Sequence, residues 1–393
     1  MLGISTKRLS WLGVPLLLSG CNFQARQSFV DPKGIVAQDQ YDLFLLTVWV
    51  TAAIFALVGG ALLWTVWRYR EKKTDDPNTL PSQSHGNPLI EIGLIGVSVA
   101  LLVVIAIPTL RLIWFTNDMP NDPESNLGSW FDGETAEGSD EEPLIILAKG
   151  WQWWFSFEYP QLGITTGNEF AIPAGKTVRI ELRGEDVIHS FWLPKIAGKV
   201  DMIPGRNNNM WIRTDEPGYY YGQCAEYCGE AHAYMQFRTE VLSEEEFEKW
   251  VAERRETPKP PAGKDWNEFI SLSASAPEEL PDTDIVQGAR HFFGKGTCVQ
   301  CHTIDGTFAA GKLGPNLTHV ADNRSLAAGW MENINPDGSI NREQQLENLY
   351  EWVRNSEHIK PGNLMYYDPN GLQNVELSDQ EVHQIAVFLQ SLR

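Results

Sequence analysis

The sequence predicts a multidomain membrane protein: a hairpin of two transmembrane helices, then an all-β domain, then an all-α domain. Three observations predict it. Two long runs carry no charge, residues 43–67 and 92–110. From Pro143 onward, short β-rich runs alternate with Gly and Pro. Beyond about Pro281 the apolar residues fall at helical spacing around a CVQCH motif. A chain of 393 residues also has room for several folded units.

The N-terminus comes first. Lys7 and Arg8 precede the apolar run WLGVPLLLSGC, which reads as an export signal over 1–20. Its end, Leu18-Ser19-Gly20-Cys21, resembles the bacterial lipobox, which implies cleavage and a lipid on Cys21. The plainer reading of Cys21 is a spare cysteine at the edge of an apolar segment. A helix needs about 20 residues to cross the hydrocarbon core, so both charge-free runs qualify, with spans expected at about 43–67 and 92–114. Arg68, Arg70, Lys72 and Lys73 follow the first span, and the positive-inside rule places that loop in the cytoplasm. The lipid-anchored N-terminus and both spans then occupy 21–117, and both ends of the mature chain face outward. Glu91 lies at the edge of the second span, where a carboxylate is either solvated or the start of a proton route.

Residues 118–142 form an acidic loop; from Asn117 to Glu142 there are nine acids and no base. The formal net charge of the chain is -20, so surplus Lys and Arg for a nucleic acid partner are lacking. The same charge either keeps the surface soluble or attracts a basic protein partner. Over 143–242, Val178, Ile180 and Leu182 alternate with polar neighbours, as a half-buried strand requires. A β-sandwich or Greek-key barrel is expected there.

Five cysteines are an odd number, one alone and two close pairs, which argues against a plain disulfide framework. In GQCAEYCGEAHAYM, Cys224, Cys228, His232 and Met235 fall within twelve residues. Thiolate, imidazole and thioether together favour copper, whereas a structural zinc site wants four Cys or His ligands. His189, in EDVIHSFWLP, is a further candidate ligand, and two cysteines suggest more than one copper. A Cys224–Cys228 disulfide is the rival reading, and it leaves the histidines and Met235 without a role.

This constellation, with GKVDMIPGRNN, the aromatic run WQWW and two preceding spans, resembles cytochrome c oxidase subunit II over about residues 40–242. The resemblance implies a cupredoxin domain holding the binuclear copper centre CuA. Cys224 and Cys228 would bridge the metals, and His189 and His232 would be terminal ligands. Met235 would bind weakly, and Glu226 would bind through its carbonyl. It also implies a magnesium shared with subunit I at the Glu226 carboxylate. One of Trp151, Trp153 and Trp154 would stand where electrons come in; as plain residues they read equally as sheet core. Glu91 would sit at the mouth of a proton channel, although the Trp-Thr usual after it is replaced by Ile-Gly.

Residues 243–280 read as a helix capped by Ser243 and Glu246, followed by a linker broken by Pro258, Pro260 and Pro261. In 281–393, CVQCH is the c-type haem attachment pattern. With LGPNLTH, HIKPGNLM and a terminal amphipathic helix capped by Ser378 and Glu381, the segment resembles a class I cytochrome c. That resemblance implies thioethers from Cys298 and Cys301, His302 as proximal ligand, Pro315 bracing it, and Met365 as distal ligand. Met331 is a rival to Met365, and His291, His319, His358 and His383 are expected at the surface.

Taken together, the resemblance is to subunit II of a caa-type haem–copper oxidase with a fused cytochrome c. It implies electron transfer from a donor through covalent haem c and CuA to haem in subunit I, with oxygen reduced there and protons pumped. The expected partners are subunit I, further membrane subunits, membrane lipid, and cytochrome c or a quinol–cytochrome c reductase as donor. The expected location is the bacterial cytoplasmic membrane, both redox domains facing outward. A nitric oxide reductase subunit and a free-standing membrane-anchored carrier are the alternatives.

Overall fold

A computed structural model describes residues 23–70, 85–117, 142–363, 365 and 377–393. Cys21 with its signal segment, Lys72, Lys73 and residues 118–141 of the acidic loop lie outside the described residues.

Helices α1 (Ile35–Tyr69) and α2 (Pro88–Asn117) are longer than the charge-free runs, because polar and charged residues continue each helix at its ends. Along both, large apolar side chains such as Trp49, Phe55, Leu63 and Leu102 are exposed. A helix apolar all round suits lipid. Thr65, Ser98 and Thr109 donate their hydroxyls to carbonyls one turn back, on Ala61, Leu94 and Ile105. The helices thereby satisfy their own polar groups, as a membrane interior demands.

The β domain is a two-sheet sandwich. Its strands are β1 (Leu144–Trp151), β2 (Trp154–Tyr159), β3 (Ile164–Gly167), β4 (Glu169–Pro173), β5 (Val178–Gly184), β6 (His189–Trp192), β7 (Lys199–Met202), β8 (Asn208–Ile212), β9 (Gly218–Cys224) and β10 (Gln236–Leu242). One sheet runs β3-β2-β1-β5-β8 and the other β4-β10-β9-β6-β7. The parallel pairs β1–β5 and β4–β10 sit among antiparallel neighbours, so the connections cross over. Val178, Ile180 and Leu182 point into the core, as the alternation predicts. Between the sheets, Phe155, Phe157, Phe170, Phe191 and Phe237 form one aromatic cluster, with Phe157–Phe170 at 4.3 Å and Phe191–Phe237 at 4.4 Å between centroids. Each such ring contributes roughly 1.5–3 kcal/mol by burial.

The chain leaves the sandwich through α3 (Glu244–Arg255), whose capping box between Ser243 and Glu246 is formed. The all-α domain begins earlier than 281. Helix α4 (Trp266–Ser275) falls within the expected linker, yet Trp266 and Phe269 are buried with Phe292, Leu349 and Phe388 in the all-α core. The three prolines upstream masked a short amphipathic stretch. Helices α5 (Asp284–Arg290), α6 (Arg342–Ile359) and α7 (Asp379–Gln390) complete that domain. The α5–α7 crossing is close: a Cβ on Gly288 would collide with the Gln384 carbonyl.

Two histidines depart from the expected surface positions. His319 is mostly buried, near Asp322, and His291 is half-buried, near Glu381. Both lie where loops fold onto helices. His358 and His383 are exposed.

Candidate metal centres

Strand pairing brings the copper candidates together. Phe191 of β6 faces Cys224 of β9, so the start of one strand meets the end of the other. The loop after β9 is then tied down at both ends. Ala225 N–H donates to Ser190 O at 3.1 Å, and Cys224 N–H donates to Met235 O at 2.8 Å. Within this frame the two sulfurs of Cys224 and Cys228 stand 3.8 Å apart. A disulfide needs ~2.05 Å, so both remain thiols. Cys228 Sγ is 3.5 Å from His232 Nδ1 and 3.8 Å from Met235 Sδ. Cys224 Sγ is 3.2 Å from the Glu226 carbonyl oxygen. His189, Cys224 and Cys228 offer ligand atoms within 4.8 Å of one another. All six sequence candidates thus surround one point.

The donor set fits copper. His189 is fully buried, and its Nε2 is held by Asp186 Oδ1 at 2.7 Å. Its Nδ1 is buried without a hydrogen-bond partner, as a ligand nitrogen would be before metal is added. Met235 is a buried thioether beside the thiols. The hydrogen bond between the two thiols pulls Cys224 well below the ordinary thiol range and pushes Cys228 above it. Metal ions bound here would hold both as thiolates.

Sequence reasoning left two contacts unread. Asp186 also accepts from the backbone N–H groups of Gln152, at 2.6 Å, and Val187, at 2.6 Å, so its orientation toward His189 is fixed. The spacing Asp186-x-x-His189 was the available signal. Among the three tryptophans, Trp153 is buried and its indole N–H donates to the Cys228 carbonyl at 3.0 Å. Trp151 and Trp154 stack on each other at 6.2 Å.

In the all-α domain, Cys298, Cys301 and His302 lie on one tight turn, with His302 N–H bonded to Cys298 O at 3.0 Å. His302 Nδ1 is 2.8 Å from the Pro315 carbonyl. A carbonyl only accepts, so Nδ1 carries the proton and Nε2 is left as the ligand lone pair. Burial pulls the imidazole below its ordinary value, which keeps it neutral and ready to bind. Gly314 leaves room for the ring: a Cβ there would lie 2.5 Å from His302 Cε1. These residues fit a covalently attached haem. Met365 N–H donates to Asn363 Oδ1 at 3.0 Å, which fixes the loop start. Met331 is instead paired into a short strand with Leu326 and packs on the domain core. Glu91 lies exposed in the first turn of α2.

Residues 163–242 match the family model for the cytochrome c oxidase subunit II periplasmic domain, and residues 285–393 match that for cytochrome c. A cytochrome c oxidase subunit 2 of Alkalihalophilus pseudofirmus is 32% identical over 378 residues, covering 96% of this chain and 94% of the relative. The chain belongs to the cytochrome c oxidase subunit 2 family. The match takes in the membrane helices, the copper domain and the haem domain, so the fusion is shared with that relative. A cytochrome c oxidase subunit 2 of Bacillus subtilis is 28% identical over 390 residues, covering 97% of this chain and 95% of the relative. The crystal structure of the periplasmic domain of subunit II of cytochrome oxidase from Bradyrhizobium japonicum is 35% identical with a TM-score of 0.29, covering 29% of this chain and 95% of that one. A subunit 2 of this composition is the part of a haem–copper oxidase that takes in electrons. Its copper domain implies CuA and its haem domain a haem c. It is a membrane protein whose copper domain lies outside the cytoplasm.

Proposed function

We propose that the chain takes electrons from a cytochrome c or a quinol–cytochrome c reductase into its haem domain, relays them to its copper domain, and delivers them to haem in subunit I of a proton-pumping bacterial oxidase. The observation that carries this reading is that both ligand sets lie in one compact unit of one chain. When bound, the haem and the copper pair supply one-electron exchange. The chain's residues do the rest. Cys298 and Cys301 would anchor the haem, His302 would ligate it with its Nδ1 proton held by Pro315, and Met365 would be its second ligand. A methionine there raises the haem potential. Cys224, Cys228, His189, His232, Met235 and the Glu226 carbonyl would together hold the copper pair. A sandwich whose strands fix both ends of the loop holds these donor residues in place in advance, as a preorganised site requires.

The finer assignments belong to the same proposal. Trp153 conducts electrons to the copper loop. The exposed Glu226 carboxylate holds a magnesium shared with subunit I. Cys21 carries lipid in the bacterial inner membrane, and Glu91 opens a proton path.

The test is gas uptake by the detergent-solubilised complex purified through this chain. Cyanide-sensitive oxygen consumption with a reduced artificial donor is expected; nitric oxide consumption with little oxygen uptake, or no uptake and no large partner, would refute the oxidase assignment. Two variants check the ligands. Cys224→Ser is expected to remove the copper signal and keep haem c. Met365→Ala is expected to lower the haem potential with the copper signal intact; an unchanged potential excludes Met365 as ligand.

A further inference from the structure

The copper and haem domains share a seam built from unusual backbone. Ala327, Ala328 and Gly329 follow one another at φ 53°, 59° and 79°. Left-handed backbone is strained for alanine, and such strain persists only where surroundings enforce it. Here all three carbonyls are used. Ala328 O accepts from Gln236 N–H at 3.0 Å, and Gly329 O accepts from Arg238 Nη2 at 2.6 Å. Ala327 O is 3.5 Å from Lys360 Nζ, which also donates to Trp153 O at 2.5 Å.

Lys360 is 3% exposed. Lysine is almost never that buried without a specific partner. Its acceptors are two backbone carbonyls, one from each domain. Two residues on, Gly362 lies against the Trp153 ring: a Cβ there would be 3.1 Å from Cη2. The loop that ends in Met365 thus touches the indole whose N–H is bonded to Cys228 O.

We propose that Lys360 is a positioning residue that fixes the register of the two domains. With the 327–329 carbonyls it forms a permanent joint placing the Met365 loop on Trp153. Electrons then cross between the chain's two cofactor sites without repeated docking of a tethered domain. A buried amine selects register more than affinity, since any docking that withholds its carbonyls leaves a buried donor unpaired. The reaction so positioned moves one electron from the reduced haem to the oxidised copper pair, with no bond or proton exchanged. The inference rests on the electron route proposed above.

The test is carried out on the intact oxidase. Haem c is reduced by a light pulse and electron exchange with copper is followed at varied ionic strength and viscosity. Amide exchange is measured in parallel over 236–242 and 326–330. The wild-type rate is expected to be independent of salt and viscosity. Lys360→Met is expected to slow exchange about tenfold and to speed amide exchange in both segments, with haem and copper spectra and potentials unchanged. A wild-type rate that falls with viscosity or salt would overturn the joint, whether or not the variant assembles. So would a Lys360→Met protein with the wild-type rate. No haem-to-copper exchange in the wild type would sink the underlying route itself.

Discussion

Asp186 decides how His189 is presented. Its carboxylate is fixed by two backbone N–H groups and holds His189 Nε2, so the ring can offer only Nδ1 to a metal. Burial lowers the imidazole's proton affinity, and the Asp186 hydrogen bond and the nearby Cys224 sulfur more than offset this, so it lies above its ordinary value. Replacing a partner of this kind typically costs 10- to 100-fold in metal affinity. Asp186→Asn is therefore expected to weaken copper retention by about that factor and to alter the copper spectrum, measured by titration against a competing chelator. An unchanged affinity would make Asp186 incidental. Four of the six proposed ligands were legible because they fall within twelve residues, His189 lay in a short run nearby in the fold, and Glu226 came from the family resemblance. Asp186 was not legible, because its role depends on which ring nitrogen the fold leaves exposed to the sulfurs.

Helix α7 shows how a local signal and a tertiary one coincide. Its capping box is formed: Glu381 N–H reaches Ser378 Oγ at 3.3 Å and Ser378 N–H reaches Glu381 Oε2 at 2.8 Å. The cap orients a helix that puts Val382, Ile385, Phe388 and Leu389 into the haem-domain core. Ser378→Ala is expected to destabilise that domain by about 1 kcal/mol, read as an earlier loss of haem absorbance on heating. Lys295, on both Glu381 oxygens at 2.7 and 2.8 Å, and the cap hold the Glu381 carboxyl at about 2 against an ordinary 4.5. A depressed carboxyl stabilises above its unfolded value and loses that effect as pH falls through its folded value. The contribution is thus complete above about pH 4.5 and fades toward 2. Glu381→Gln is expected to flatten the acid limb of the stability curve in that window; parallel curves would refute the linkage. The capping boxes were readable because they are four-residue patterns. Helix α4 was hidden because its apolar face is short and its stabilising partners, Phe292 and Phe388, lie far along the chain.

At the level of the whole chain, the two apolar helices offer an anchor that does not depend on a lipid at Cys21. α1 and α2 each carry an apolar stretch long enough to cross a bilayer and exposed along its length. A single lipid chain gives only marginal membrane binding by comparison. Cys21→Ala is accordingly expected to leave the protein in the membrane fraction after a high-salt wash. Release into the soluble fraction would mean that the two helices do not span.

By itself, the sequence determined what is written in short patterns. These are the charge-free runs long enough to cross a bilayer, the strand alternation, the clustered candidate copper ligands and the CVQCH motif, since each depends on neighbours in the chain. Only the tertiary structure decided which tryptophan touches the copper loop, which nitrogen of His189 is offered, and how the haem domain meets the copper domain. Those depend on contacts such as Lys360 with Trp153, 207 residues apart. No local spacing encodes such contacts, because packing and the need to satisfy every buried polar group select them only once the domains have formed.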